Sequence, residues 1–241
     1  MVRLTTSLIA LLICTGSFAQ TIERDLDTFN KLIVDPFINV ELIAGDQEHI
    51  EITYDNIDPE LINADLRGKT LHLYLDYAKI NWRLMHRDFH MPRKYEYASV
   101  NVKVTYKSLK KIQMRGEEKL VCNSSLTGKK LKLKVYGENN IELADVASKK
   151  FKASLFGDNE LLVSGTTTNQ IFNTFGDNTI KASKLEGRNV KTTGFGASHI
   201  DISVADYLRV VQFGEGSVSY SGDPVIGRKL LIGETELRRV K

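Results

Sequence analysis

Cysteine, proline and tryptophan are scarce in this sequence. Its 241 residues include two cysteines, four prolines and one tryptophan. Cys14 lies in an apolar N-terminal stretch, so cleavage of that stretch leaves Cys122 alone and excludes an intramolecular disulfide. Stability must therefore come from packing rather than from cross-links. Helical periodicity is missing as well, and so are the spacings of a nucleophile elbow, a zinc-protease helix and a phosphate-binding loop.

Long hydrophobic runs are missing beyond the N-terminus. Arg3 precedes an apolar stretch at residues 8–14, and Ser17-Phe18-Ala19 follows it before Gln20. This pattern predicts a signal peptide at residues 1–19, because the stretch is too short to span a bilayer. A lipoprotein acylated at Cys14 is the alternative. The expected location is the periplasm, the outer-membrane surface or the extracellular medium, without a transmembrane segment in the mature chain.

What the sequence does contain is a repeat of about 20 residues. Glycines recur at intervals of 18 to 21 residues in the second half of the chain, and an aliphatic residue follows each of them four positions later. An aromatic residue precedes the glycine in the five inner repeats. The repeating glycines are Gly116, Gly137, Gly157, Gly176, Gly196, Gly214 and Gly233.

A unit of this length with two short strands cannot bury its own apolar side chains, so the units must stack on one another. The sequence therefore predicts an all-β solenoid of about seven coils at residues 107–241. We expect the glycines at corners with positive φ. The side chains of Asn139, Asn159 and Asn178 are expected to stack as a ladder, and Cys122 is expected in the core. Residues 20–106 are predicted to form an irregular β cap or the irregular start of the same β-helix, with an insertion at residues 79–97.

Three repeats carry a family resemblance. Residues 136–141, 156–161 and 175–180 read Tyr-Gly-Glu-Asn-Asn-Ile, Phe-Gly-Asp-Asn-Glu-Leu and Phe-Gly-Asp-Asn-Thr-Ile. They resemble the repeats of the bacterial head GIN family, described as adhesin heads and as a domain of unknown function. Residues 29–40 and 220–224 are similar to the family's two ends. The resemblance implies a right-handed parallel β-helix, export and no established enzyme activity. Glu118, Ser198 and Gly216 depart from the motif's asparagine.

Charge follows the same repeat. The net charge of +3 is too small to indicate nucleic-acid binding. Acidic residues follow six of the glycines, namely Glu117, Glu138, Asp158, Asp177, Glu215 and Glu234. Basic residues precede six of them by five positions, namely Lys111, Lys132, Lys152, Lys191, Arg209 and Arg228. A basic stripe suits an anionic polymer, and an acidic stripe could hold Ca²⁺. Alternatively, both stripes are solvated faces.

The insertion at residues 79–97 is the second candidate site. It holds the single tryptophan among several cations, and such a mixture can contact sugar rings or bases together with carboxylate or phosphate groups. A loop without a binding role is the alternative. His86 and His90 lack an acidic or cysteine partner, so no metal site is predicted.

These observations favour an exported, non-enzymatic binding or structural module of the bacterial envelope. An adhesin-like protein that recognises an anionic glycan or a protein partner fits them. The alternatives are a polysaccharide-active β-helix enzyme and a scaffold that acts by oligomerisation. No catalytic residue, cofactor or metal is predicted. The candidate ligand-binding residues are Trp82, Arg83, Arg87, Arg93, Lys94, Lys132, Lys152, Lys191 and Arg209.

Overall fold

The computed structural model describes residues 20–78 and 95–240. These residues form eighteen β-strands and a 3-10 turn at Pro59–Leu61, and none of them lies in an α-helix. The strands are β1 (Gln20–Asp25), β2 (Lys31–Val34), β3 (Asn39–Ala44), β4 (His49–Asp55), β5 (Ile62–Arg67), β6 (Thr70–Leu75), β7 (Ser99–Tyr106), β8 (Lys111–Gly116), β9 (Lys119–Gly128), β10 (Leu131–Gly137), β11 (Asn140–Gly157), β12 (Asn159–Phe175), β13 (Asn178–Phe195), β14 (Ser198–Ser203), β15 (Tyr207–Phe213), β16 (Gly216–Ser221), β17 (Val225–Ile232) and β18 (Thr235–Arg239). The predicted all-β solenoid is confirmed.

Two long sheets run along the solenoid axis. The first sheet follows the order β5, β6, β2, β8, β10, the C-terminal parts of β11 to β13, β15 and β17. The second follows the order β1, β4, β7, β3, β9, the N-terminal parts of β11 to β13, β14, β16 and β18. Pairing is parallel except for β1 with β4, β4 with β7, and β5 with β6. The antiparallel pairs therefore lie at the N-terminal end.

The solenoid has about 6 turns, one fewer than the glycine count predicts. Each glycine marks one corner, and seven corners enclose six intervals. After Gly233 only β18 follows, so the last corner does not begin another complete coil.

The repeating glycines have the conformation that the sequence predicts. Gly157, for example, has a φ of +107°, which other residues rarely adopt. A Cβ atom at Gly157 would lie 2.3 Å from the carbonyl oxygen of Gly137 in the preceding coil. Both the backbone angle and the close approach of neighbouring coils therefore require glycine.

The predicted asparagine ladder is also present. Asn139 donates from Nδ2 to Oδ1 of Asn159 over 3.1 Å, and Asn159 donates in the same way to Asn178 over 3.2 Å. At two of the three departures from the motif, Glu118 and Ser198, other hydrogen bonds take the place of the asparagine ladder. Glu118 accepts a hydrogen bond from the backbone N–H of Phe37, and Ser198 donates from its hydroxyl to Thr174. These polar groups are thereby paired from coil to coil, whereas the buried Nδ2 atom of Asn178 has no hydrogen-bond partner among the described residues.

Inward-facing side chains form one continuous apolar core along the axis. Cys122 lies in it with its side chain fully buried, as predicted, and its Sγ atom is 3.4 Å from the hydroxyl of Tyr106. Burial raises the pKa of the Cys122 thiol, so the reactive thiolate is disfavoured. The position of Cys122 is that of a core residue.

Candidate binding face

Outward-facing lysines of the first sheet align from coil to coil. We call the aligned positions the basic row, and it consists of Lys31, Lys111, Lys132, Lys152, Ile171, Lys191 and Arg209. Four of the predicted site residues, Lys132, Lys152, Lys191 and Arg209, thus lie in one row. Arg228 does not continue the row, because the register between β15 and β17 shifts between Leu208 and Val210. Ile171 interrupts it in the middle.

More lysines surround this row than the sequence reasoning included. Side chains two positions apart on a strand point to the same side, so Lys134 flanks Lys132 and Lys150 flanks Lys152. Lys130 lies immediately before β10 and is close enough to Lys132 for the charge of Lys132 to lower its pKa. The alternation in Lys-Leu-Lys-Leu-Lys at residues 130–134 was the signal that could have predicted them. We call the patch formed by Lys111, Lys130, Lys132, Lys134, Lys150 and Lys152 the basic face.

Repulsion between neighbouring lysines and burial lower the pKa values of two lysines of the basic face. The neighbouring ammonium group of Lys132 lowers the pKa of Lys130, and burial and Lys150 lower it further. Burial lowers the pKa of Lys111, with a further contribution from the positive charge of Lys134. Within the described ranges, none of the six lysines forms an ion pair with a carboxylate. The patch is therefore a concentrated positive field without an internal counter-charge.

An aromatic ladder runs beside the basic row, four residues further along each strand and so about 13 Å away. Adjacent rings lie 4.8 to 5.4 Å apart between centroids, and their planes differ by at most 10°. Phe175 and Phe195 remain 38% and 43% exposed. The ladder consists of Tyr136, Phe156, Phe175, Phe195 and Phe213.

The orientation of these rings limits what they can bind. Because each ring face covers the face of the next ring, the inner rings expose their edges to solvent. A sugar ring normally stacks on an aromatic face, and those faces are already occupied. The ladder therefore supplies a narrow apolar strip along the axis rather than a series of sugar-stacking platforms. Sequence reasoning identified these aromatics as repeat markers and missed their place beside the lysines.

Arg115 differs from the lysines because its charge is neutralised. Asp35 is fully buried and accepts a hydrogen bond from the Arg115 guanidinium over 2.8 Å. Its second carboxylate oxygen lies 2.8 Å from Nε2 of His72. This cluster joins the residue that follows β2 to β6 and β8 at the N-terminal end of the first sheet. It has the arrangement of a buried structural ion pair, which needs both partners to offset desolvation.

The acidic stripe does not form a site of the same kind. Glu138, Asp158 and Asp177 are exposed at the glycine corners. Across residues 20–78 and 95–240, no group of three or more His, Cys, Asp or Glu side chains is placed to hold a metal ion. A shallow groove of about 500 Å³ lies on the second sheet, but Lys103 in its lining is paired with Glu51 at 3.1 Å.

The remaining predicted site residues lie outside the described residues. They are Trp82, Arg83, Arg87, Arg93 and Lys94, all within residues 79–94. The two flanks of this segment are anchored, because Ala78 and Tyr95 are buried and the Tyr95 ring packs against Phe37. The signal peptide predicted at residues 1–19 lies outside the described residues too. None of the described residues forms a helix long and apolar enough to cross a membrane.

Comparison with known proteins supports the fold at full length. A putative adhesin from Bacteroides fragilis shares 19% sequence identity, with a TM-score of 0.77, covering 93% of this chain and 98% of that protein. A putative adhesin from Parabacteroides merdae shares 22% identity with a TM-score of 0.65, covering 94% and 98%. A third, from Parabacteroides distasonis, shares 17% identity with a TM-score of 0.68, covering 92% and 97%. No curated protein matches.

Sequence identities of 17 to 22% establish a common fold but do not identify a ligand. The sequence itself gives the assignment, because residues 28–224 match the family model described as "Putative auto-transporter adhesin, head GIN domain". That match spans most of the chain, including the whole basic face and the aromatic ladder. The chain therefore belongs to the head GIN domain family.

Proposed function

We propose that this protein is an exported, non-enzymatic binding module of the bacterial cell envelope whose ligand is an acidic glycan. The observation that carries the proposal is the basic face, in which six lysines share one side of the first sheet without carboxylate partners among the described residues. The adhesin description of the family supports a binding role.

Coil spacing favours a polymer over a compact anion. Neighbouring strands in a sheet lie about 4.8 Å apart, so the basic row offers one cation per coil along the axis. A linear glycan with regularly spaced carboxylate or sulfate groups can meet several of these cations at once. Its negative charges would relieve the repulsion that lowers the pKa of Lys130 and that adds to the effect of burial in lowering the pKa of Lys111. The aromatic ladder then borders the glycan with an apolar strip.

The arrangement of the acidic residues at the glycine corners also agrees with a binding role without catalysis. Glycoside hydrolysis needs two carboxyl groups facing each other across a substrate, and one of them usually has a raised pKa. The corner carboxylates of Glu138, Asp158 and Asp177 instead follow one another along an exposed edge. The proposal therefore assigns them no catalytic part.

A glycan array tests the proposal. The purified protein is applied at low and at physiological salt, with neutral and acidic glycans side by side. Binding to acidic glycans that weakens at physiological salt is expected, because exposed charge interactions are screened over about 8 Å under those conditions. An empty array, or binding to neutral glycans that ignores salt, would contradict the proposal.

A further inference from the structure

Charge is distributed unequally along the solenoid axis. Residues 20–78, which form β1 to β6, contain 13 acidic and 4 basic residues. Residues 95–240, which form the rest of the described solenoid, contain 22 basic and 16 acidic residues. Among the described residues, the N-terminal end is therefore acidic and the body of the solenoid is basic, whereas residues 205–240 at the opposite end contain five basic and five acidic residues.

The acidic end carries two open strand edges. Within the described ranges, β1 pairs with β4 alone and β5 pairs with β6 alone. Glu23 lies exposed on β1, and Glu60 lies exposed in the 3-10 turn that precedes β5. One edge belongs to the second sheet and the other to the first sheet. Both edges retain backbone groups that another strand can pair with.

The C-terminal end is open in the same way. Among the described strands, β17 pairs with β15 alone and β18 with β16 alone. Ile226 continues the inward row of Val190 and Leu208, which are fully buried, yet it is 39% exposed. Val225 and Ile232 are 69% and 51% exposed. The apolar core is thus uncovered at its last coil.

The strands β17 and β18 beside this uncovered core carry four basic residues and one acidic residue, Glu236, and one of the four, Arg239, forms an ion pair with Asp223 over 3.1 Å. Lys229 pairs in register with the buried Val210, and Arg239 pairs with Tyr220. Arg228 and Arg238 are adjacent to them and exposed. Charges of one sign on an edge oppose its pairing with an identical edge. Because β17 and β18 carry an excess of positive charge, two C-terminal edges repel each other, and so do two acidic ends.

We infer that the C-terminal end of one molecule stacks on the acidic end of a second copy. Each sheet has one free edge at either end, so head-to-tail stacking can continue both sheets from one molecule to the next. It would cover Val225, Ile226 and Ile232 and bring opposite charges together. Such a contact is heterologous and does not close, so it produces a linear series of copies. It uses different residues from the basic face and is independent of glycan binding.

Sedimentation velocity of the purified protein tests this inference. The weight-average mass should rise with protein concentration at low salt and fall when salt is added, because the attraction is partly electrostatic. Two charge-reversed variants sharpen the test. One carries Lys229→Glu with Arg238→Glu, and the other carries Glu23→Lys with Glu60→Lys. Each variant alone should associate at least tenfold more weakly than the unmodified protein.

Mixing the two variants provides the decisive comparison. The reversed C-terminal end of one variant should now attract the reversed N-terminal end of the other, so the mixture should regain association. Unchanged circular dichroism spectra would establish that each variant is folded. Monomers at every concentration of the unmodified protein, or a mixture no more associated than its components, would overturn the inference.

Discussion

The side-chain amide of Asn139 and its own backbone N–H both donate to one oxygen atom, Oδ1 of Asn159 in the next coil, over 3.1 and 3.0 Å. Asn159 also donates to the carbonyl oxygen of Phe156 in its own corner. A single buried amide thus fixes its own turn and satisfies two donors of the neighbouring coil. This arrangement explains why the corner position repeats together with the glycine.

Asn159→Ala should therefore reduce the free energy of unfolding by roughly 2 to 4 kcal/mol, because it leaves two buried donors without their acceptor. Urea unfolding followed by circular dichroism measures the change. Asn140→Ala is the matched control, since Asn140 is exposed beside the ladder, and it should cost less than about 0.5 kcal/mol. Equal losses in the two variants would show that the ladder contributes no special stability.

Glu118 occupies the ladder position before Asn139, and its carboxylate makes the free energy of unfolding depend on pH. Burial raises the pKa of Glu118 to about 7, although backbone N–H groups of Phe37 and Glu117 donate to its carboxylate and lower it. The folded state therefore binds a proton more tightly than the unfolded state. The contribution of protonated Glu118 to the free energy of unfolding is therefore complete below about pH 4.5 and is lost as the pH rises through about 7.

We expect the free energy of unfolding to fall by roughly 3 kcal/mol from this group between pH 4.5 and pH 8. Glu118→Gln should remove that part of the pH dependence, whereas Glu117→Gln at the exposed neighbouring position should keep it. Urea unfolding at several pH values gives the three profiles. Parallel profiles for Glu118→Gln and the unmodified protein would refute the assignment.

The aromatic ladder should contribute to stability in proportion to the number of stacked neighbours. Phe175 stacks on both Phe156 and Phe195, whereas Phe213 stacks on Phe195 alone among the described rings. Each stacked pair contributes about 0.5 to 1.5 kcal/mol beyond its buried area. Phe175→Leu should therefore cost about 1 kcal/mol more than Phe213→Leu in urea unfolding. A larger loss in Phe213→Leu would contradict this explanation.

The repeat made most of the fold predictable from the sequence. In parallel coils, residues at equivalent positions become direct neighbours, so a regular interval such as that of Gly137 and Gly157 predicts the register itself. The first 106 residues have no such interval. The contacts of Asp35 with His72 and Arg115 span 37 and 80 positions without a periodic signal, and the antiparallel pairing of β1 with β4 has no signature in the sequence either.

The candidate site was predictable in its position but incomplete in its composition. Lys132 and Lys152 align because they occupy the same place in the repeat, and the sequence predicts this alignment. The flanking position of Lys134 depends on which way alternate side chains point, and that direction follows from the same strand pattern. Ring orientation in the aromatic ladder is different, because it depends on side-chain torsions that neither spacing nor composition specifies.

The affinity of a basic-face variant for an acidic oligosaccharide tests the central claim most directly. The variant carries Lys132→Gln with Lys152→Gln, and the control carries Lys119→Gln with Lys184→Gln, which changes the net charge equally on other surfaces. We predict that the basic-face variant binds the strongest acidic glycan of the array about fivefold to thirtyfold more weakly at low salt, while the control stays within about twofold. Equal affinities of the two variants would contradict the account.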